Sequence, residues 1–182
     1  MEDGFEVHNH FDGSTAKQAA AWRSKHGIKE DYGYVQTDLA LLELRKRGGC
    51  DFIHVTNGDN LYHVDFFRRH LDEISNPEVM MTAVDFYSHH RKRFMKVAFH
   101  VSGIDLATQV FRAAYLDARN ATYVTGPCSG WREAYANGDG QAEARRKRIF
   151  NADGHFAKDI SNHVGPPGRR AIHSPGPLLW HL

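Results

Sequence analysis

Apolar and polar positions alternate in type along the first half of the chain, and the alternation marks out strands and helices in turn. "FEVHNHF", residues 5–11, reads as a short strand followed by the turn "DGS". "STAKQAAAWRSKHG" is helical: Ser14 or Thr15 serves as N-cap, alanines favour the helix, and Gly27 stands where a C-cap glycine belongs. "TDLALLELRKRGG" repeats this logic, with Thr37 as cap, Asp38 in the first turn, Arg45, Lys46 and Arg47 in the last, and Gly48 as the stop. "DFIHVT", residues 51–56, is then a strand. "HVDFFRRHLDEI" is an amphipathic helix with Val64, Phe67, Leu71 and Ile74 along one face. "EVMMTAVDFYS" is a further apolar strand. Strand–helix alternation of this kind predicts an α/β fold, with a parallel or mixed sheet flanked by helices.

The second half is less regular. "VSGIDLATQVFRAAYL" fits a strand or a helix, and "QAEARRKRIF" reads as helical. The proline-rich tail "HVGPPGRRAIHSPGPLLWHL" predicts mostly extended loop. No internal repeat and no linker appears, so the expectation is a single domain over residues 1–182.

Composition changes this picture little. The chain has 182 residues, 41% hydrophobic and 25% charged, with a formal net charge of +1. Those values describe an ordinary globular chain and give no bulk electrostatic reason to expect nucleic acid as a partner. No run reaches the roughly 18 apolar residues of a membrane span. The acidic start Met1-Glu2-Asp3-Gly4 lacks the apolar stretch of a secretion signal, so a cytoplasmic location is expected. Cys50 and Cys128 are too few for a disulfide scaffold, and Cys50, between Gly49 and a strand, is expected to pack as a small hydrophobe.

Candidate chemistry concentrates at "FIHVTNGDNLYH", residues 52–63. In open α/β sheets ligands sit outside the carboxyl ends of strands, and Asp59 lies in such a loop. Gly58 permits a tight turn, while Asn57 and Asn60 can accept hydrogen bonds or ligate a hard cation weakly. The competing reading is a plain turn, because Asn, Gly and Asp dominate turns. Thirteen histidines fall in loose groups. His8 and His10 share a face of a predicted strand. His89 and His90 adjoin the basic run Arg91, Lys92, Arg93, which is either a solvated loop or a lid whose cations meet phosphates. Asp105 and Asp153 each read equally as helix caps. Trp131 fits either a sugar-stacking role or the core.

Four segments in order carry a resemblance. "VTNGDNLYH", after the helix beginning "TDLALLEL", resembles the divalent-metal motif of GT-A-type nucleotide-diphospho-sugar glycosyltransferases, whose DxD-like acids hold a metal on the donor diphosphate. "FEVHNHFDGST" resembles the "DDGST" signature that contacts the nucleotide base. "GIDLATQVFR" and "ADGHF" are similar to the segments lining donor sugar and acceptor, and "LLWH" to a strand whose final His adds a metal ligand.

The resemblance implies a Rossmann-like GT-A domain with a mixed, mainly parallel sheet, reduced in its first strand–helix unit. It implies a nucleotide-diphosphate sugar as donor and a hydroxyl-bearing acceptor (glycan, protein or small molecule). Asp12 would contact the base, Thr37 and Asp38 would lie near ribose or diphosphate, and Asp105 would meet the donor sugar. Asp59, with Asn57 and His181, would hold the metal, and Asp153 would be the catalytic base. One Asp and one His favour manganese over magnesium, because manganese accepts imidazole. Where many relatives have Asp-x-Asp this chain has Asn-Gly-Asp, one carboxylate fewer. Two alternatives share the resemblance: a sugar nucleotidyltransferase, and a non-catalytic module that binds a sugar or a protein.

Overall fold

The computed structural model describes residues 13–26, 31–56, 60–124 and 151–181. The predicted strand at 5–11, Gly27, the predicted helix in "QAEARRKRIF", Cys128 and Trp131 lie outside these residues.

Two helices open the described chain, α1 (Gly13–Lys25) and α2 (Tyr34–Arg47). The helix α2 ends as its sequence predicts: the Gly48 amide donates to the Leu44 carbonyl at φ 66°, a left-handed conformation that glycine adopts at little cost. It begins three residues before the predicted Thr37 cap. Gly33, at φ 84°, turns the chain, and Asp31 accepts the Val35 amide at 2.9 Å while meeting Arg23 at 2.8 Å. The carboxylate therefore caps α2 and ties it to α1. Arg45 fastens the other end of α2 to the Leu116–Ala121 segment through Asp117, Asn120 and two backbone carbonyls.

The strands form two four-stranded mixed sheets. The first joins β1 (Phe52–His54), β6 (Gln109–Arg112), β3 (Met81–Val84) and β7 (Arg169–Ile172) in that spatial order. β6 runs antiparallel to both β1 and β3, and β7 is parallel to β3. The second joins β2 (Asn60–Tyr62), β8 (Leu179–His181), β4 (Phe86–Ser88) and β5 (Arg93–Met95), with only β8 and β4 parallel. The α/β expectation holds at this level. Among the described strands, however, the parallel character predicted from the alternation is confined to one pair in each sheet. β6 returns directly from the 96–105 segment without a crossover helix and so pairs antiparallel.

Both faces of the first sheet are covered. Ile53, Met81, Ala83 and Phe111 pack with Val35 and Leu41 of α2, with Leu116 of α4 (Ala113–Ala118), and with Phe156 and Ile160 of α5 (Ala152–Val164). Alternation turns Val110 to the other side, against Ile74 of α3 (Phe66–Ile74).

The helix α3 buries Ile74 as predicted and packs Phe67 in part, but the rest of its buried stripe differs. Phe66, His70 and Ile74 face inward, whereas Val64 is 93% exposed and Leu71 is 39% exposed. A buried hydrogen bond of 2.6 Å between His70 Nδ1 and Thr82 Oγ1 satisfies one nitrogen of an imidazole that a purely apolar count overlooks. The tail is likewise more ordered than predicted, because β7 and β8 lie within it. Cys50 is exposed rather than packed, beyond the end of α2 and outside the sheet.

The strand read as one element at 78–88 is two, broken at Asp85. This residue is fully buried, and its carboxylate accepts from Val97 N at 2.9 Å, His173 Nδ1 at 2.9 Å and Ser174 N at 3.2 Å. Its backbone bonds to Ile172 and Leu178. A single side chain thus holds the β3–β4 break, the excursion between β7 and β8, and the start of the 97–105 segment. Among the described residues, no helix is long and apolar enough to cross a membrane.

Candidate active site

Because β6 opposes β1 and β3, the carboxyl ends of β1, β3 and β7 lie together with the amino end of β6. Asp105 sits just before β6 at this end of the sheet. Its side chain accepts the Ala107 amide at 3.1 Å and caps the 3-10 turn Leu106–Thr108, while its carbonyl accepts from Thr108 and from Gln109 Nε2. The residue is half-buried and rigidly set.

Asp153 reaches the same place from the first turn of α5. It accepts the Gly154 amide at 2.7 Å, and the Tyr34 hydroxyl and the Leu106 amide lie near enough to favour its charged form. Gly154 lets the helix approach: a Cβ there would stand 2.8 Å from the Val101 Cα, a distance no side chain tolerates. Burial raises the Asp153 carboxyl, the neighbouring Asp105 raises it further, and the Gly154 amide, the Tyr34 hydroxyl and the Leu106 amide nearby pull it partly back, leaving it at about 6. Asp153 is half-buried by its exposed surface, so its carboxylate combines a displaced proton affinity with some access to solvent.

Tyr34 opens α2 and carries its hydroxyl to Asp153, and burial and that carboxylate push its own titration far upward. Its ring stacks on Tyr123 at 5.5 Å, and Tyr123 stacks on Phe156 of α5 at 4.1 Å. The aromatic column fixes α2 against α5 and holds the donor at the carboxylate. Tyr34 gave no signal in the sequence, because its partner lies 119 residues away in the chain and no local pattern records that contact.

The other predicted residues separate into groups. Asp38 is completely buried, with its two oxygens accepting the Tyr123 and Val124 amides. Thr37 Oγ1 donates to the Gly33 carbonyl at 3.1 Å within the same helix. Asp38 fixes the 122–124 segment that presents Tyr123. Asp12, Asn57 and Asp59 lie outside the described residues. His181 closes β8, with its backbone between Asn60 of β2 and Ser88 of β4. Thr56 and Asn60, on either side of residues 57–59, are joined by a 3.4 Å hydrogen bond from Asn60 Nδ2. The Tyr62 hydroxyl also donates to Thr56 Oγ1.

The structure therefore brings Asp105 and Asp153 together, with Asp38 and Tyr34 behind them. Two carboxylates at one site, one held above its ordinary range, can take up a proton near neutrality. A separate open groove of about 360 Å³, lined by Glu78, Tyr115 and His163 among others, lies by the starts of β3 and β7, away from this pair. No protein-family model and no curated protein matches the chain.

Proposed function

We propose that the chain is a single-domain, metal-dependent glycosyltransferase of the GT-A type, which moves a sugar from a nucleotide-diphosphate donor to a hydroxyl acceptor. The observation that carries this reading is the Asp105–Asp153 pair, with the Asp153 carboxyl raised to about 6 at the strand end of a sheet covered on both faces. A carboxylate with this proton affinity suits a base that works near neutral pH. In an inverting transfer, Asp153 takes the acceptor hydroxyl's proton as that oxygen bonds the anomeric carbon and the diphosphate departs. Asp105, fixed by its own cap, stands beside it to meet hydroxyls of the donor sugar. Tyr34 orients the base.

The donor set for a metal is one carboxylate, Asp59, with Asn57 and His181. By its chemistry this set suits a divalent ion, and the pairing of the His181 backbone with Asn60, the residue after Asp59, supports the reading. Manganese, preferred over magnesium for its tolerance of imidazole, would supply charge neutralisation at the leaving diphosphate.

Titration calorimetry with nucleoside diphosphates, with and without manganese, tests the reading. Binding that needs manganese and disappears in Asp59→Ala is expected. Absence of binding by every nucleoside diphosphate at millimolar concentration would overturn it.

A further inference from the structure

The second sheet has one packed face and one open face. Tyr62, Leu179, Phe86 and Met95 belong to a cluster around Phe66 and Ile172. Alternation turns the residues between them the other way. There Leu61, Trp180, Tyr87 and Phe94 stand opposite one another in register, one from each of the four strands. None of the four is buried, and Leu61 is 57% exposed. His63 adds an imidazole beside Trp180, at 6.5 Å between ring centres and 28° between planes.

Strands in a sheet lie about 4.8 Å apart, so the backbone positions that carry Trp180, Tyr87 and Phe94 follow one another at that repeat. Four strands of three residues present a face of about 200 Å². A stable protein interface needs about 800 Å² on each partner, so the patch is too small to dock a second copy of the chain by itself. Its chemistry is also specific. Aromatic bodies with polar rims, namely the Trp180 indole N–H, the Tyr87 hydroxyl and the His63 imidazole, suit a ligand that is apolar on its flat face and hydroxylated at its edge.

We propose that this open face of the second sheet is a carbohydrate platform on which successive pyranose rings of an oligosaccharide stack, with Trp180 and Tyr87 at its centre. The platform extends the transferase reading by giving the acceptor class as a glycan. It stands on the sheet register and needs neither donor nor metal.

The test uses the full chain without nucleotide or metal, so its failure is separate from failure of the transferase reading. Maltotriose, cellotriose and chitotriose are each titrated while the indole N–H resonance of Trp180 is followed by NMR. At least one trisaccharide is expected to shift that resonance saturably at millimolar concentration, and Tyr87→Ser to weaken the binding about tenfold, as loss of one ring contact would. If Tyr87→Ser does not keep the folded spectrum, Phe94→Ser on the edge strand serves in its place. The proposal is overturned if no trisaccharide moves the resonance, or if the folded variant binds as tightly as the parent chain. It is also overturned if the resonance responds only to protein concentration or to phosphatidylserine vesicles.

Discussion

Asp153 lies beside the amide of Leu106, the residue that follows Asp105, and so two carboxylates 48 positions apart in the chain share one half-buried end of the sheet. Their proximity gives Asp153 two opposed influences that substitution can separate. Asp105→Asn removes a neighbouring negative charge and lowers the Asp153 titration from about 6 towards the ordinary carboxylate range. Tyr34→Phe removes a donor to the charged form and raises it. Carboxyl-carbon NMR of the free protein reads both shifts, and equal values in all three proteins would contradict the account.

The same raised titration has a consequence for stability. Because Asp153 binds its proton more tightly folded than unfolded, its contribution is fully present below about pH 4 and is lost as pH rises through about 6. Asp153→Asn, uncharged throughout, should flatten that part of the stability profile in urea unfolding between these pH values.

His70 acts with the opposite sign. Burial drives its titration down to about 3, and the nearby His54 adds to the effect. Its stabilising contribution is present above the ordinary histidine value and is lost as pH falls towards 3, because unfolding lets the imidazole charge. The full loss is on the order of 5 kcal/mol. Urea unfolding at pH 7, 5 and 4 should show declining stability, and His70→Leu should reduce the slope even if it lowers stability at pH 7.

Asp38 and Asp85 are the buried acids whose loss should unfold the chain most readily. Each is fully enclosed, and its carboxylate accepts two backbone amides. Asp38→Ala removes the buried acceptor of the Tyr123 and Val124 amides, and Asp85→Ala does the same to Val97 and Ser174. Losing a buried acceptor shared by two amides costs about 2–6 kcal/mol in each case. Thermal unfolding should place both variants well below Asp117→Ala, which alters an exposed acid.

How much of this was legible in the sequence differed by element. The end of α2 was, because Gly48 and the basic last turn are local signals. Its start was not, since Asp31 caps from outside the helix and Gly33 hides the boundary. In α3 the apolar count chose Val64 and Leu71 and passed over His70, whose burial depends on Thr82 in another element. The prolines of the tail masked β7 and β8, whose pairing with β3, β4 and β2 is non-local. Asp105 and Asp153 were both singled out from the sequence, but their adjacency rests on Gly154 packing against Val101, and no spacing in the chain encodes that contact.

The most direct measurement of the central claim is a donor screen that follows release of nucleoside diphosphate in the presence of manganese and an oligosaccharide acceptor. The account predicts turnover with at least one nucleotide sugar, with an acid limb near pH 6. It also predicts that Asp153→Asn reduces the rate by at least about a hundredfold while leaving nucleoside diphosphate binding intact. Full turnover by Asp153→Asn, or no release from any donor by the parent chain, would contradict it.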